Sequence, residues 1–100
     1  MWRFDKEWRG LRHLTPWGKQ PPSAYIRQHM RMTLQPIDAP PTAAELLQSV
    51  GQLDSEDMLM FSSDYPHWHY DSPDEAFPAQ LPQPLARKIL SENAKKFYRF

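Results

Sequence analysis

A short apolar run, Met58-Leu59-Met60-Phe61, constrains this chain more than any other feature; Asp57 bounds it on one side and Ser62 on the other. It has no polar face, so it suits a strand covered on both sides, as in parallel sheets flanked by helices. Upstream, residues His29 to Gln35 alternate, with Met30, Met32 and Leu34 on one face and Arg31, Thr33 and Gln35 on the other. A period of two predicts a second strand. Pro36, which lacks an N–H, is expected to end it. Between the two runs, Thr42-Ala43-Ala44-Glu45 has the spacing of a capping box, and Leu46, Leu47, Val50 and Leu53 recur at helical intervals. A helix over residues 42–53 follows. Two strands joined by a helix form a right-handed crossover, which makes them parallel.

The flanks extend this pattern. Residues 1–14 read as a helix with Trp2, Phe4, Trp8 and Leu11 as apolar positions, weakened by Gly10. Pro16 stops it, Pro21-Pro22 continue as a stiff extended connection, and Ser23 is placed to cap a short turn through Ala24, Tyr25 and Ile26. Beyond Phe61, SSDYPHWHYDSPDEAFPAQLP reads as a long loop. Pro84 then suits the first turn of a helix whose face carries Leu85, Ile89, Leu90, Asn93, Phe97 and Tyr98. The class is α/β, in the order helix, strand, helix, strand, loop, helix.

That order is physically incomplete. Two parallel strands with apolar faces leave two open edges, and one helix per strand cannot cover both faces. The cover is expected from another chain, a second copy or further residues. Met30, Met32, Met58 and Met60 are expected to fill the core. Trp2, Phe4, Trp8 and Trp17 form an aromatic surface suited to a partner or to self-association.

Charge and composition exclude several classes. Twelve basic and twelve acidic side chains cancel, which removes the electrostatic case for nucleic acid or an anionic membrane. Arg3, Lys6, Arg9 and Arg12 recur every three residues, but Asp5 and Glu7 interrupt them, as on a solvated helix face. A nucleic-acid module built on these arginines is the weakest alternative. No apolar run approaches the roughly 20 residues that span a bilayer, and the first residues lack a signal-peptide pattern. With no cysteine there is no disulfide framework or thiolate metal site. This is compatible with a reducing, cytoplasmic location, which is the one expected.

Chemistry is concentrated in Phe61-Ser62-Ser63-Asp64-Tyr65-Pro66-His67-Trp68. An acidic residue at the C-terminal end of a buried strand, leading into a loop, is where α/β barrels place catalytic groups. Such a carboxylate can bind a divalent metal and accept a proton from metal-bound water. His67 and Trp68 are candidates to line the pocket. His67 and His69 have His-x-His spacing, but they follow Pro66 in a loop, where ordinary pocket or surface histidines are the simpler expectation.

These segments carry a resemblance. LMFSSDYPHW, followed by LPQPLARKILSENAKKFY, resembles the C-terminus of the amidohydrolase superfamily, in the branch typified by aminocarboxymuconate-semialdehyde decarboxylase. PSAYIRQHMRMTLQPI resembles that branch's segment leading into and forming the seventh strand, so the resemblance covers roughly residues 15–100. It implies a (β/α)8 barrel holding one divalent metal, commonly zinc. The ligands in such barrels are a His-x-His pair on the first strand, histidines from middle strands and an aspartate ending the eighth. Asp64 matches that aspartate, which implies a metal-ligand and catalytic role. The histidine ligands have no matching positions here.

A barrel of this kind needs about 250 residues. The chain therefore reads as a C-terminal fragment of a (β/α)8 TIM barrel: two parallel strands with flanking helices, in one partial domain over residues 1–100. Residues 1–28 are a helix and Pro-rich lead-in to the last two strand–helix units. The implied activity is hydrolysis or decarboxylation (a lyase reaction) of a small carboxylic or cyclic substrate, with the isolated chain inactive. The alternative is a non-catalytic fragment that self-associates. The expected partner is a homo-oligomer or a separate N-terminal barrel portion, with neither nucleic acid nor membrane involved.

Overall fold

The computed structural model describes residues 1–35, 37–68, 77 and 80–100. The expected strand end at Pro36 and about half of the long loop, including His69, lie outside the described residues. The chain divides into two compact units, Met1–Met30 and Arg31–Phe100.

The first unit is a helix pair. α1 spans Trp2–Leu11, continues as a 3-10 turn over Arg12–Leu14, and packs on α2, Pro22–His29. Pro22 opens α2 instead of extending the connection before it, because its fixed φ and missing N–H suit a first helical turn. Pro21, at the N-cap, has no side chain to satisfy the exposed amides. Asp5 does this from α1. Its two carboxylate oxygens accept from the Ser23 N–H at 2.9 Å and the Ser23 hydroxyl at 2.6 Å. Arg27 in turn donates to the Ser23 hydroxyl oxygen at 3.0 Å. Ser23 is thus the capped residue rather than the cap, and it is buried. These bonds, the hydroxyl's first, hold the Asp5 carboxyl below its ordinary pKa. The aromatic surface is mostly bare: α1 buries no residue, and Trp2 and Trp17 are exposed.

The second unit contains the crossover. β1, Met32–Thr33, pairs in parallel with β2, Leu59–Met60, and Met32 sits opposite Leu59. The Met32 N–H donates to the Met58 carbonyl at 2.8 Å and the Leu34 N–H to the Met60 carbonyl at 3.1 Å. β1 is shorter than its alternation predicts. Residues 29 and 30 close α2, where the Met30 N–H bonds to the Ile26 carbonyl. At its other end β2 leaves the ladder at Phe61.

α3 spans Ala43–Gly51, with Thr42 as its N-cap. The Thr42 hydroxyl accepts from the Glu45 N–H at 3.3 Å, and its oxygen lies 2.6 Å from a Glu45 carboxylate oxygen. The N-cap half of the predicted capping box is therefore formed, while the Glu45 carboxylate accepts from the Thr42 hydroxyl and not from its backbone N–H. Leu46 is buried, but between α3 and the strands runs an apolar groove of about 310 Å3, lined by Met32, Leu34, Ile37, Val50 and Leu59 among others. The helix covers its sheet face only in part.

The final helix begins at Gln83 with Pro84 in its first turn, as predicted: α4 is Gln83–Arg87 and α5 is Asn93–Tyr98. Between them, Lys88–Glu92 forms a π turn. Its widened ladder sends the Asn93 N–H to the Lys88 carbonyl, five residues back. The Ile89 carbonyl, which an unbroken α-helix would give to Asn93, accepts from the Phe61 N–H at 2.8 Å. Met58, Met60, Leu46, Leu85 and Ile89 make up the buried core, so two of the four methionines fill it as expected. The other two do not: Met30 is 53% and Met32 39% exposed, because the described residues put no layer over them.

The buried side of the last helix also carries a polar group. Asn93 donates through Nδ2 to the Glu56 carbonyl at 2.8 Å and the Leu59 carbonyl at 2.9 Å. Lys88 reaches Glu56 and Asp57, and Lys96 reaches Asp57. The Lys96 bond, with help from the Lys88 charge, holds the Asp57 carboxyl below its ordinary pKa. Glu56 and Asp57 raise that of Lys88. One helix face therefore grips the turn that leads into β2.

Candidate functional site

The candidate site lies just beyond the C-terminal end of β2. After Phe61 is drawn onto the Ile89 carbonyl, Ser62 and Ser63 carry the chain outward to Asp64. Asp64 has a left-handed backbone, φ 57°, which asparagine and aspartate tolerate better than other side chains bearing a Cβ. A sparsely populated conformation at a strand end is the kind of local feature that sites maintain. The Ser63 hydroxyl accepts from the Tyr65 N–H at 3.3 Å, and the His67 N–H donates to the Asp64 carbonyl at 2.8 Å, closing a turn. The Tyr65–Pro66 peptide bond within it is cis.

The turn brings two of the predicted residues together. His67 Nδ1 lies 3.2 Å from an Asp64 carboxylate oxygen, and both side chains are about half exposed. The His67 and Trp68 rings are 6.0 Å apart, and Trp68 is 80% exposed. Asp64, His67 and Trp68 thus share one exposed turn, without the enclosed pocket expected of them. His69, the other half of the His-x-His spacing, lies outside the described residues.

This donor set is small for a metal. Zinc takes about four ligands, three or more of them from protein in a catalytic site. Among the described residues, no group of three or more His, Cys, Asp or Glu side chains converges. Asp64 and His67 are two donors at most, and they lie 3.2 Å apart. The residues present do not by themselves fit a metal centre.

Asn93 was legible in the sequence as one position on a helical face and as the Asn of the Asn-Ala pair that the resemblance makes usual in the terminal helix, but not as a buried donor. Its polarity in an otherwise apolar stripe was the available signal, since a buried amide needs partners. Glu56, Asp57, Lys88 and Lys96 left no comparable mark, because a surface ion pair has no sequence period.

No described helix is long and apolar enough to cross a membrane. The amidohydrolase family model matches the chain over residues 1–100, which extends the likeness through the N-terminal helix. No curated protein matches the chain.

Proposed function

Because the chain belongs to the amidohydrolase family, we propose that it is the C-terminal portion of a metal-dependent (β/α)8 barrel and that Asp64 is its contribution to the metal centre. The branch proposed is that of aminocarboxymuconate-semialdehyde decarboxylase. The observation that carries the proposal is the position of Asp64. It stands four residues past the last residue of β2, at the strand's C-terminal end, in a left-handed conformation. Barrels of this kind assemble their sites at that end of the strands. β1 and β2 take the places of the last two strands, and their parallel pairing across α3 agrees with that role.

In such an assembly Asp64 supplies an anionic oxygen, and His67 Nδ1 stands 3.2 Å from it. Trp68 offers an aromatic surface beside the pair. The reaction proposed is hydrolysis or decarboxylation of a small carboxylic or cyclic substrate, and the metal proposed is zinc. Since two side chains are too few to hold a metal, the remaining ligands come from residues other than those described, and the chain alone is inactive.

The test is metal analysis after equilibrium dialysis against zinc, for the chain alone and for the chain mixed with a barrel portion carrying the histidine ligands. The chain alone retains far less than one zinc per molecule, and the mixture retains one, which Asp64→Asn removes. Equal zinc retention by the Asp64→Asn mixture would overturn the role given to Asp64.

A further inference from the structure

The last backbone bond before the Asp64 turn comes from the final helix and not from the sheet. β2 makes its last ladder bond at Met60, whose carbonyl accepts from the Leu34 N–H at 3.1 Å. One residue on, the Phe61 N–H donates to the Ile89 carbonyl at 2.8 Å. Among the described residues, no backbone bond from Ser62 or Ser63 intervenes before the Asp64 carbonyl accepts from the His67 N–H. Three residues separate Phe61 from Asp64, a reach of at most about 10 Å. A chain held at Phe61 therefore confines where Asp64 can stand.

The acceptor that holds it is not present in an ordinary helix. Inside an α-helix each carbonyl takes the N–H four residues on, and Ile89 would be occupied by Asn93. The π turn over Lys88–Glu92 sends the Asn93 N–H to Lys88 and leaves the Ile89 carbonyl to Phe61. Ile89 is buried, so without Phe61 that carbonyl would be stranded away from water. Single π turns within α-helices are rare and frequently accompany functional sites. One turn further along, Asn93 donates to the Leu59 carbonyl, so the same helix braces the strand at Leu59 and at Phe61.

We propose that the π turn at Lys88–Glu92 is the positioning element of the candidate site. Through the Phe61 N–H, the Ile89 carbonyl sets where the chain leaves β2 and thereby holds the turn of Asp64 and His67. Ile89 acts through Phe61, which makes it a positioning residue and not a catalytic one. That Asp64 belongs to a metal site rests on the reading given above; the coupling of its turn to the helix does not.

The experiment is amide hydrogen exchange on the full chain, together with the intraresidue HN–Hα NOE of Asp64, which is strong for a left-handed residue. Deleting Ser91 restores an unbroken α-helix that takes back the Ile89 carbonyl, while Leu85 and Asn93 keep their side of the helix. Ser91→Ala keeps the residue count and with it the π turn. In the deletion variant the Phe61 and His67 amides exchange roughly tenfold faster and the Asp64 NOE weakens, while the Met32 and Leu34 amides stay as in the wild type. Ser91→Ala matches the wild type throughout. Phe61→Pro removes the donor instead of the acceptor and, compared with Phe61→Ala, which keeps the N–H, decides the matter if the deletion misfolds. Unchanged His67 exchange on losing either partner would overturn the proposal. So would an equal loss of protection at Met32 and Leu34, the mark of a helix that merely stabilises the sheet. These readings are made without zinc, so zinc retention by the Asp64→Asn mixture would remove the metal role and leave the coupling, and unchanged His67 exchange would do the reverse.

Discussion

Replacing Asn93 with alanine tests how the second unit is held together. The side chain is 3% exposed and makes two hydrogen bonds, both to backbone carbonyls, so the donating atom must be its amide nitrogen. Each such bond contributes about 0.5–1.5 kcal/mol net, and a carbonyl stranded away from water costs about 1–3 kcal/mol. Glu56 is exposed, so water recovers much of its loss; Leu59 is half-buried and recovers less. Against this, alanine regains roughly 0.5 kcal/mol of helix propensity. The net expectation is a loss of about 2 kcal/mol, or a fall in Tm of roughly 8–16 °C for a domain of this size. Asn93→Asp should lose more, because a carboxylate there faces two carbonyl oxygens and has no proton to donate. Urea melts give the stability, and hydrogen exchange at the Met32, Leu34 and Phe61 amides localises it to this unit. A loss below about 0.5 kcal/mol in both variants would show that the Asn93 amide does not secure the strand.

Two further expectations follow from the same elements. Thr42→Ala removes the hydroxyl that accepts from the Glu45 N–H and should destabilise α3 by about 1 kcal/mol, read from its urea midpoint; no change would mean the Thr42 cap is idle. Asp57 and Asp5 both have lowered pKa values, so their contribution is present above the unfolded carboxylate value near 3.9 and is lost as pH falls below it. Acid unfolding of Asp57→Asn should accordingly be less steep than that of the wild type, and superimposable acid transitions would refute the Lys96–Asp57 pairing as a source of stability.

The legible parts of this fold were those fixed by neighbours in sequence. Thr42 and Glu45 announced the start of α3, Pro84 that of the last helix, and the run from Met58 to Phe61 the buried strand. Parallel pairing followed from connection length and handedness. What stayed hidden depends on distant partners. Nothing around Ser23 reveals that Asp5, eighteen residues earlier, caps its helix, so Ser23 was read as a cap itself. The alternation from His29 to Gln35 records which face each side chain would take in a complete sheet, but a ladder is no longer than its partner, and β2 turns away at Phe61. Met30 and Met32 are apolar for a cover that the described residues do not provide. At the site, Asp64 was visible because strand, loop and acid occur in order. Its pairing with His67 depends on a turn conformation that no residue pattern specified.

The π turn sets the phase of the last helix. Leu85, Ile89 and Asn93 are buried at intervals of four, yet an α-helix turns about 100° per residue, so each step of four overshoots a full circle by roughly 40°. Two steps in regular α geometry would swing Asn93 about 80° away from Leu85, off the strand it binds. The wide turn at Lys88–Glu92 absorbs that drift and keeps all three residues in register with the sheet. Deleting a single residue between Leu85 and Asn93 would remove the wide turn and leave seven steps of regular α-helix, about 700°, which is within roughly 20° of the same face. Both side chains would then keep their places, and what would be lost is the carbonyl that the π turn frees for the Phe61 N–H.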